Sequence, residues 1–421
     1  MKQKFLVFWC MVSLLTGCTA NYELSLGDDD FHSSRLARID QVIQAAVAGG
    51  EIPGAVVLVS RGGDTDLLKA YGFADLESNK VMQTDAIFRI ASMTKAVTSV
   101  AVMVLYEQGH FLLTDPVGKY IPEFNHMKVV TEIDDEGNIV AIADASKHIR
   151  IVDLLSHSSG LSYPFMASAV QARYVEAGLI DGLTARNLTL ETQMMLLAQQ
   201  PLLFEPGEGF AYGLSTDLLG YLVEVISGQS LAEFIAENIT GPLSMTNTYF
   251  YLPPEKADRL VTLYAHLDGQ GLVVSDGTES TLKLDNPNYP IEGAKTFFCG
   301  GAGLSSTAED YGRFLLMLLN EGELDGARIL SRKSVELMRT ARIDWDEDGV
   351  VDFGLSFRVL SDPGQQGELG SVGAYSWGGA FYTAFWIDPE EELVAVFMSQ
   401  VRPVNSDVSD KFRTMVYQAL K

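Results

Sequence analysis

Phe88-Arg89-Ile90-Ala91-Ser92-Met93-Thr94-Lys95-Ala96-Val97-Thr98-Ser99-Val100 couples a serine to a lysine at the point where a short apolar run gives way to a helical pattern. Ile87 to Ala91 reads as a strand. From Ser92 to Gln108 there is no Gly or Pro, and Met93, Val97, Val100 and Val104, widened by Met103 and Leu105, predict a helix buried along much of its surface. Positions three apart share a helix face, so the Ser92 hydroxyl and the Lys95 amine meet near the helix N-terminus, where the dipole favours developing negative charge. A hydroxyl is a poor nucleophile until a base takes its proton, and an amine in such a setting can do so. Ser92 is therefore the candidate nucleophile and Lys95 a candidate base. The same spacing recurs at Ser280-Thr281-Leu282-Lys283, but it lies between Asp276-Gly277-Thr278-Glu279 and Asp285-Asn286-Pro287. That is turn chemistry, with no buried helix to hold a geometry.

Outward from this stretch, Ala55 to Ser60 and Leu67 to Tyr71, joined through Arg61-Gly62-Gly63-Asp64, predict a hairpin. Ahead of it, Leu36, Ile39, Val42, Ile43 and Ala46 predict a helix that Ser33 and Ser34 can cap and Gly49-Gly50 ends. Near the other end, Phe353 to Leu360, Ala380 to Ile387 and Leu393 to Ser399 read as strands, followed by a helix over 406–420. Residues 111–289 read as mostly helix and loop, with helical patterns at Leu190 to Gln199, Ser215 to Ser227 and Leu231 to Asn238. The expected architecture is an α+β fold: an antiparallel sheet built from both chain ends (34–110 and 290–421), flanked by helices and interrupted by a mostly helical domain (111–289). A cleft between the two parts would place Ser92 at its edge.

At the start of the chain, Lys2 and Lys4 precede the apolar run Phe5 to Leu15, too short to span a bilayer but suited to a secretory signal over 1–17. Leu15-Thr16-Gly17-Cys18 resembles the lipobox of bacterial lipoproteins, which makes Cys18 a candidate lipidation site and 18–33 an acidic spacer. Cleavage after Ala20 would instead leave a soluble periplasmic protein. With Cys10 lost and Cys18 acylated, Cys299 is the one ordinary thiol, so no internal disulfide is expected. A net charge of −25 argues against nucleic acid and against adhesion to anionic lipid.

The order of further motifs resembles the serine β-lactamase and penicillin-binding-protein-like family, and within it the class C β-lactamases and family VIII carboxylesterases. Ser92-Met93-Thr94-Lys95 matches the first motif. Asp153-Leu154-Leu155-Ser156-His157-Ser158-Ser159-Gly160-Leu161 looks like the family's D-L-L-T-H-T-S-G-L. Phe204-Glu205-Pro206-Gly207 and Tyr212-Gly213-Leu214-Ser215-Thr216-Asp217 match the second motif region, and Gly300-Gly301-Ala302-Gly303-Leu304 the later glycine-rich loop. Ser376-Trp377-Gly378-Gly379-Ala380 stands at the third motif. The resemblance implies a β-lactamase/transpeptidase-like fold, Tyr212 as a proton carrier beside Lys95, and the N–H groups of Ser92 and Ala380 as the oxyanion hole. It implies substrate-binding positions at Trp377, Gly378, Gly379 and Leu214. Two of these depart from the β-lactamases. Trp377 replaces a lysine or histidine that engages a substrate carboxylate, in the W-G-G form similar to the esterases, and Leu214 replaces an asparagine that binds substrate amides.

Two other constellations compete. His157 with Asp153 suggests a Ser-His-Asp triad, but no G-x-S-x-G elbow accompanies them, and a structural histidine is expected. Asp344-Trp345-Asp346-Glu347-Asp348-Gly349 begins like a calcium loop, yet Leu355 stands where a bidentate glutamate belongs, so an acidic turn and no metal site are expected. The run Asp134-Asp135-Glu136-Gly137-Asn138 reads as a hairpin turn. The sequence thus predicts a cofactor-free serine hydrolase of short-chain carboxylic esters working through an acyl-enzyme, lipid-anchored in a bacterial envelope and facing the periplasm. A β-lactamase, a D-amino-acid peptidase or a non-catalytic cell-wall binding module is the alternative.

Overall fold

In the computed structural model, residues 30–277 and 288–421 are described; the expected signal run, Cys18 and the Ser280–Lys283 pair lie outside them. Seven strands form the main sheet: β1 (Gly54–Arg61), β2 (Asp64–Asp75), β3 (Lys80–Val81), β4 (Arg358–Val359), β5 (Tyr375–Gly379), β6 (Thr383–Asp388) and β7 (Leu393–Met398). Their order is β4-β5-β6-β7-β1-β2-β3 and every neighbouring pair is antiparallel. The two chain ends meet in its middle, where β1 pairs with β7 from Val56↔Met398 to Arg61↔Leu393. Gly62 and Gly63, both with positive φ, close the β1–β2 hairpin as expected.

β1 is a continuous apolar run because both its faces are covered. Ala55, Val57 and Val59 pack with Ile39 and Ile43 of helix α1 (Arg38–Ala48) and with Phe412 and Val416 near the C-terminus. Val56 and Leu58 join the larger core on the opposite face, which includes the helix α2 (Thr94–Glu107) and the helix α3 (Ser215–Ser227). That core continues into the helix α4 (Ala308–Leu319), and the outer face is completed by α5 (Val408–Tyr417). The sheet part and the inserted segment therefore share one buried core, with α3 packed along α2.

Several expected elements differ in detail. Ser33 and Ser34 do not cap α1: they lie in a separate one-turn helix, Ser33–Leu36, and Ala37 joins the two with helical backbone angles. The strand expected over Phe353 to Leu360 shrinks to β4, because Ser356 adopts φ 71° and its N–H turns to the Leu155 carbonyl. Ala380 lies in the β5–β6 turn, not in a strand. The inserted segment is less helical than expected, since Lys128–Ile133 pairs with Ile139–Asp144 around the Asp134 turn and Tyr264–Leu267 with Gly271–Val274. The helical pattern at Leu231 ends at Ile235 and continues as a π-turn, Ala236–Thr240.

Candidate active site

The serine stands where a strand stops and a helix starts. Phe88–Arg89 pairs with Ser305–Ser306, and Arg89, 4 % exposed, donates to the carbonyls of Tyr289 at 2.5 Å and Val261 at 3.0 Å. The Arg89 N–H reaches Gln400 Oε1 at 3.2 Å, tying the segment to the residues that follow β7. Ala91 then takes φ 42°, a left-handed backbone that costs a non-glycine residue about 1–3 kcal/mol. Ala91–Met93 forms a 3₁₀ turn, so Ser92 precedes α2 instead of opening it, and it is half-buried. Lys95 is on the first turn of α2 and only 1 % exposed.

Lys95 Nζ is 3.5 Å from Ser92 Oγ, at the outer limit of a hydrogen bond. It donates more firmly to Tyr163 Oη at 2.9 Å and to the Gly301 carbonyl at 2.8 Å. The ammonium also lies 4.5 Å from the centre of the Tyr212 ring. Tyr212 precedes α3 and is half-buried, and its Oη accepts the Trp377 indole N–H at 3.3 Å. Trp377 is on β5, with its ring against those of Tyr212, Trp345 and Phe353. β5 lies directly against the turn that carries Ser92. A Cβ on Gly379 would stand 2.3 Å from the Ile90 carbonyl oxygen and 2.3 Å from Thr383 Oγ1, which is why a glycine is required there. Ala380 follows in the same half-exposed turn.

Ser92, Lys95, Tyr212, Trp377, Gly378, Gly379 and Ala380 are thus gathered into one region. Leu214 is not a member of its surface. It is 2 % exposed and packs in the core at the start of α3, so it presents nothing to a ligand, and its expected substrate-binding role is corrected accordingly.

His157 is fully buried, and neither ring nitrogen has a hydrogen-bond partner among the described residues. Burial and the nearby Lys95 charge hold its pKa well below the ordinary histidine value, so it is a neutral ring packed 4.8 Å from Tyr212. Asp153 is turned away from it, into an ion pair with Arg150 at 2.7 Å. No Ser-His-Asp relay runs through these two. In the acidic loop, Asp344, Asp346 and Asp348 each bring one carboxylate oxygen within 4.8 Å of the others, while Asp344 Oδ2 caps the Gly349 N–H and Leu355 is buried.

Two partners of Lys95 escaped the sequence reading. Tyr163, two residues beyond the Gly160-Leu161 end of its motif, is 2 % exposed; burial, then the nearby Asp217, drives its pKa well above the ordinary tyrosine value. Gly301 belongs to the glycine-rich loop already singled out, but that its carbonyl receives the lysine is a matter of tertiary approach.

Comparison with known proteins agrees with this geometry. The Beta-lactamase family model matches residues 39–420. Protein Rv1367c of Mycobacterium tuberculosis is 34% identical over 378 residues, 86% of this chain and 89% of its own. Esterase EstB of Burkholderia gladioli is 30% identical over 371 residues, 85% of this chain and 88% of its own. Among solved structures, EstCE1, described as a hydrolase with promiscuous acyltransferase activity, superposes with a TM-score of 0.79 at 29% identity over 91% of this chain and 99% of its own. With its sheet, its serine–lysine turn and nearly its whole described length accounted for in this way, the chain belongs to the β-lactamase family.

Proposed function

We propose that this chain is a serine hydrolase that cleaves short-chain carboxylic esters through an acyl-enzyme on Ser92. Ser92 Oγ attacks the ester carbonyl while its proton passes to the Lys95–Tyr212 pair, and the N–H groups of Ser92 and Ala380 receive the oxyanion. The same pair returns the proton to the departing alkoxide. Water then enters by the reverse sequence and releases the acid. The Trp377 N–H reaches Tyr212 Oη at 3.3 Å and fixes the orientation of that oxygen at the site.

The observation that carries the ester reading is Trp377. An indole that spends its N–H on Tyr212 stands where a β-lactam carboxylate calls for a cation, and the nearby Lys95 is engaged by Tyr163 and Gly301. A site without polar partners for a polar substrate keeps its apolar binding and loses discrimination for the polar one. The likeness to Esterase EstB supports the same reading. Comparing kcat/KM for p-nitrophenyl butyrate and for a chromogenic cephalosporin tests it: the ester is expected to give the higher value. A higher value for the cephalosporin would restore a lactamase, and a high value for a D-amino-acid amide a peptidase. Burst kinetics separates an enzyme from an acylating sensor, which stops after one equivalent of product. The likeness to EstCE1 favours acyl transfer to an alcohol as a second outcome of the same intermediate, measurable as butyrate ester formed in the presence of methanol.

We also propose that Cys18 carries the lipid that holds the enzyme to a membrane of the bacterial envelope, facing the periplasm, with the acidic run Asn21 to Asp30 as its spacer.

A further inference from the structure

Beneath Ser92 lies a buried charge that the mechanism above does not use. Asp217, on the first turn of α3, is 0 % exposed. Its Oδ1 accepts the Cys299 thiol at 3.0 Å and the Gly301 N–H at 3.3 Å, whereas Oδ2 has no hydrogen-bond partner among the described residues. Gly301 connects this carboxyl to the lysine, since the opposite side of the residue, its carbonyl, accepts Lys95 Nζ at 2.8 Å. Tyr163 provides a second connection. A Cβ at Gly301 would stand 2.6 Å from Asp217 Oδ2 and 2.7 Å from Tyr163 Oη, so the two oxygens flank one point beside the glycine. Tyr163 Oη accepts the Lys95 ammonium at 2.9 Å, so the phenol that receives the lysine stands beside the same glycine as the carboxylate oxygen.

A carboxyl enclosed this way is an expensive choice for packing alone. Desolvation raises its pKa, and the Cys299 thiol, the Lys95 charge and the Gly301 N–H oppose the rise. Cys299, Lys95 and Gly301 all belong to the network under the nucleophile. An ammonium buried at 1 % exposure has the complementary need for a negative partner, and among the described residues it forms no ion pair by direct contact with a carboxylate. Asp217 answers that need at one remove.

We propose that Asp217 is a positioning residue for acylation, whose carboxylate, acting through the Gly301 peptide and the Tyr163 hydroxyl, holds the Lys95 side chain under Ser92 and supplies the counter-charge of its protonated form. This rests on the reading of Ser92 and Lys95 given above.

Asp217→Asn keeps the shape and an acceptor for the Gly301 N–H while removing the charge. Losing a negative charge lowers the proton affinity of the groups around it, and those facing the network among the described residues are Lys95, Tyr163, Tyr212, His157, Cys299 and the carboxylate of Asp181. With p-nitrophenyl butyrate, kcat is expected to fall about ten- to a hundredfold with KM changed by less than about threefold, and the acid limb of kcat/KM to move to lower pH by about half a unit or more. Tyr163→Phe cuts the same route at the hydroxyl and keeps the ring packed against Phe165 and Tyr212, so it moves the limb in the same direction. It decides the matter alone if Asp217→Asn does not fold. A folded Asp217→Asn protein with the parent's kcat, or with lowered activity on an unmoved pH profile, overturns the proposal. A fluorophosphonate that labels Ser92→Ala as fully as the parent overturns the Ser92 reading instead, and this inference with it.

Discussion

Among the described residues, the Lys95 side chain lies 3.5 Å from the Ser92 hydroxyl and is held more closely by a phenol and a peptide carbonyl. Two firm partners hold the Lys95 side chain in place beneath the hydroxyl that it must serve. Ser92→Ala is expected to abolish ester turnover, by at least about four orders of magnitude, without changing the melting temperature by more than a few degrees. Ser280→Ala is expected to be near neutral; steady-state rates and a thermal melt of both variants check the pair. At this scale the sequence was legible wherever the chemistry is local. A serine and a lysine three apart need no fold to be noticed, and Tyr212 and Trp377 come from ordered motifs. Tyr163 and Gly301 reach Lys95 across 68 and 206 residues, and nothing near either marks that destination. Leu214 erred the other way: its place in a motif suggested a surface role, while burial at the head of a core helix decides its side chain.

The hairpin β1–β2 and the strand β5 show how elements transmit such constraints. Gly379 lets β5 approach the Ser92 turn until only backbone and a threonine hydroxyl remain between them. Gly379→Ala forces that contact apart and is expected to destabilise the fold by about 1–3 kcal/mol while lowering kcat/KM by more than about tenfold. Urea denaturation beside steady-state kinetics measures both. In the β1–β2 hairpin, Asp66 is 7 % exposed and accepts the Arg61 N–H at 3.0 Å, yet burial lifts its pKa to about 6 from 3.8. A carboxyl with a raised folded-state pKa favours the fold most at low pH, and this contribution fades as pH rises through the window between 3.8 and about 6. Asp66→Asn is therefore expected to be the more stable protein at pH 7.5, by about 1–2 kcal/mol, with the advantage vanishing below pH ~4. Denaturation at both pH values checks the sign. Strands covered on both faces were readable as apolar runs, and Ser215–Ser227 as a helix from its pattern. The edge was not readable, because Phe353 and Phe357 look like strand residues whether they extend or, as here, wrap around a left-handed Ser356.

For the whole molecule, the shared core explains why the boundary at residue 111 is so hard to place from sequence: burial is continuous from the sheet through α2 to α3, and only the chain path distinguishes the parts. Both ends of the sequence are needed before the sheet can close. At this scale too belongs the membrane expectation. With a net charge of −25 the body gains nothing from anionic lipid, so attachment is expected to depend on the acyl chains at Cys18 alone. Cys18→Ser is expected to move the protein from the membrane fraction to the soluble fraction; an unaltered protein already soluble, with its N-terminus beyond Ala20, would remove the anchor.

The pairing of β1 with β7 has a companion at the surface. Phe31 bridges Leu420, the His32 N–H reaches the Ala419 carbonyl at 2.7 Å, and the Lys421 N–H lies 3.3 Å from the Asp30 carbonyl. Asp30 and Lys421 therefore lie side by side at the surface. A short glycine-rich splice between Lys421 and Asp30, with a new cut in the exposed Asp135–Gly137 turn, alters neither the β1–β7 register nor the surroundings of Ser92. Such a circular permutant should retain the fold and its ester turnover, with the direction in which the chain is read made immaterial to both.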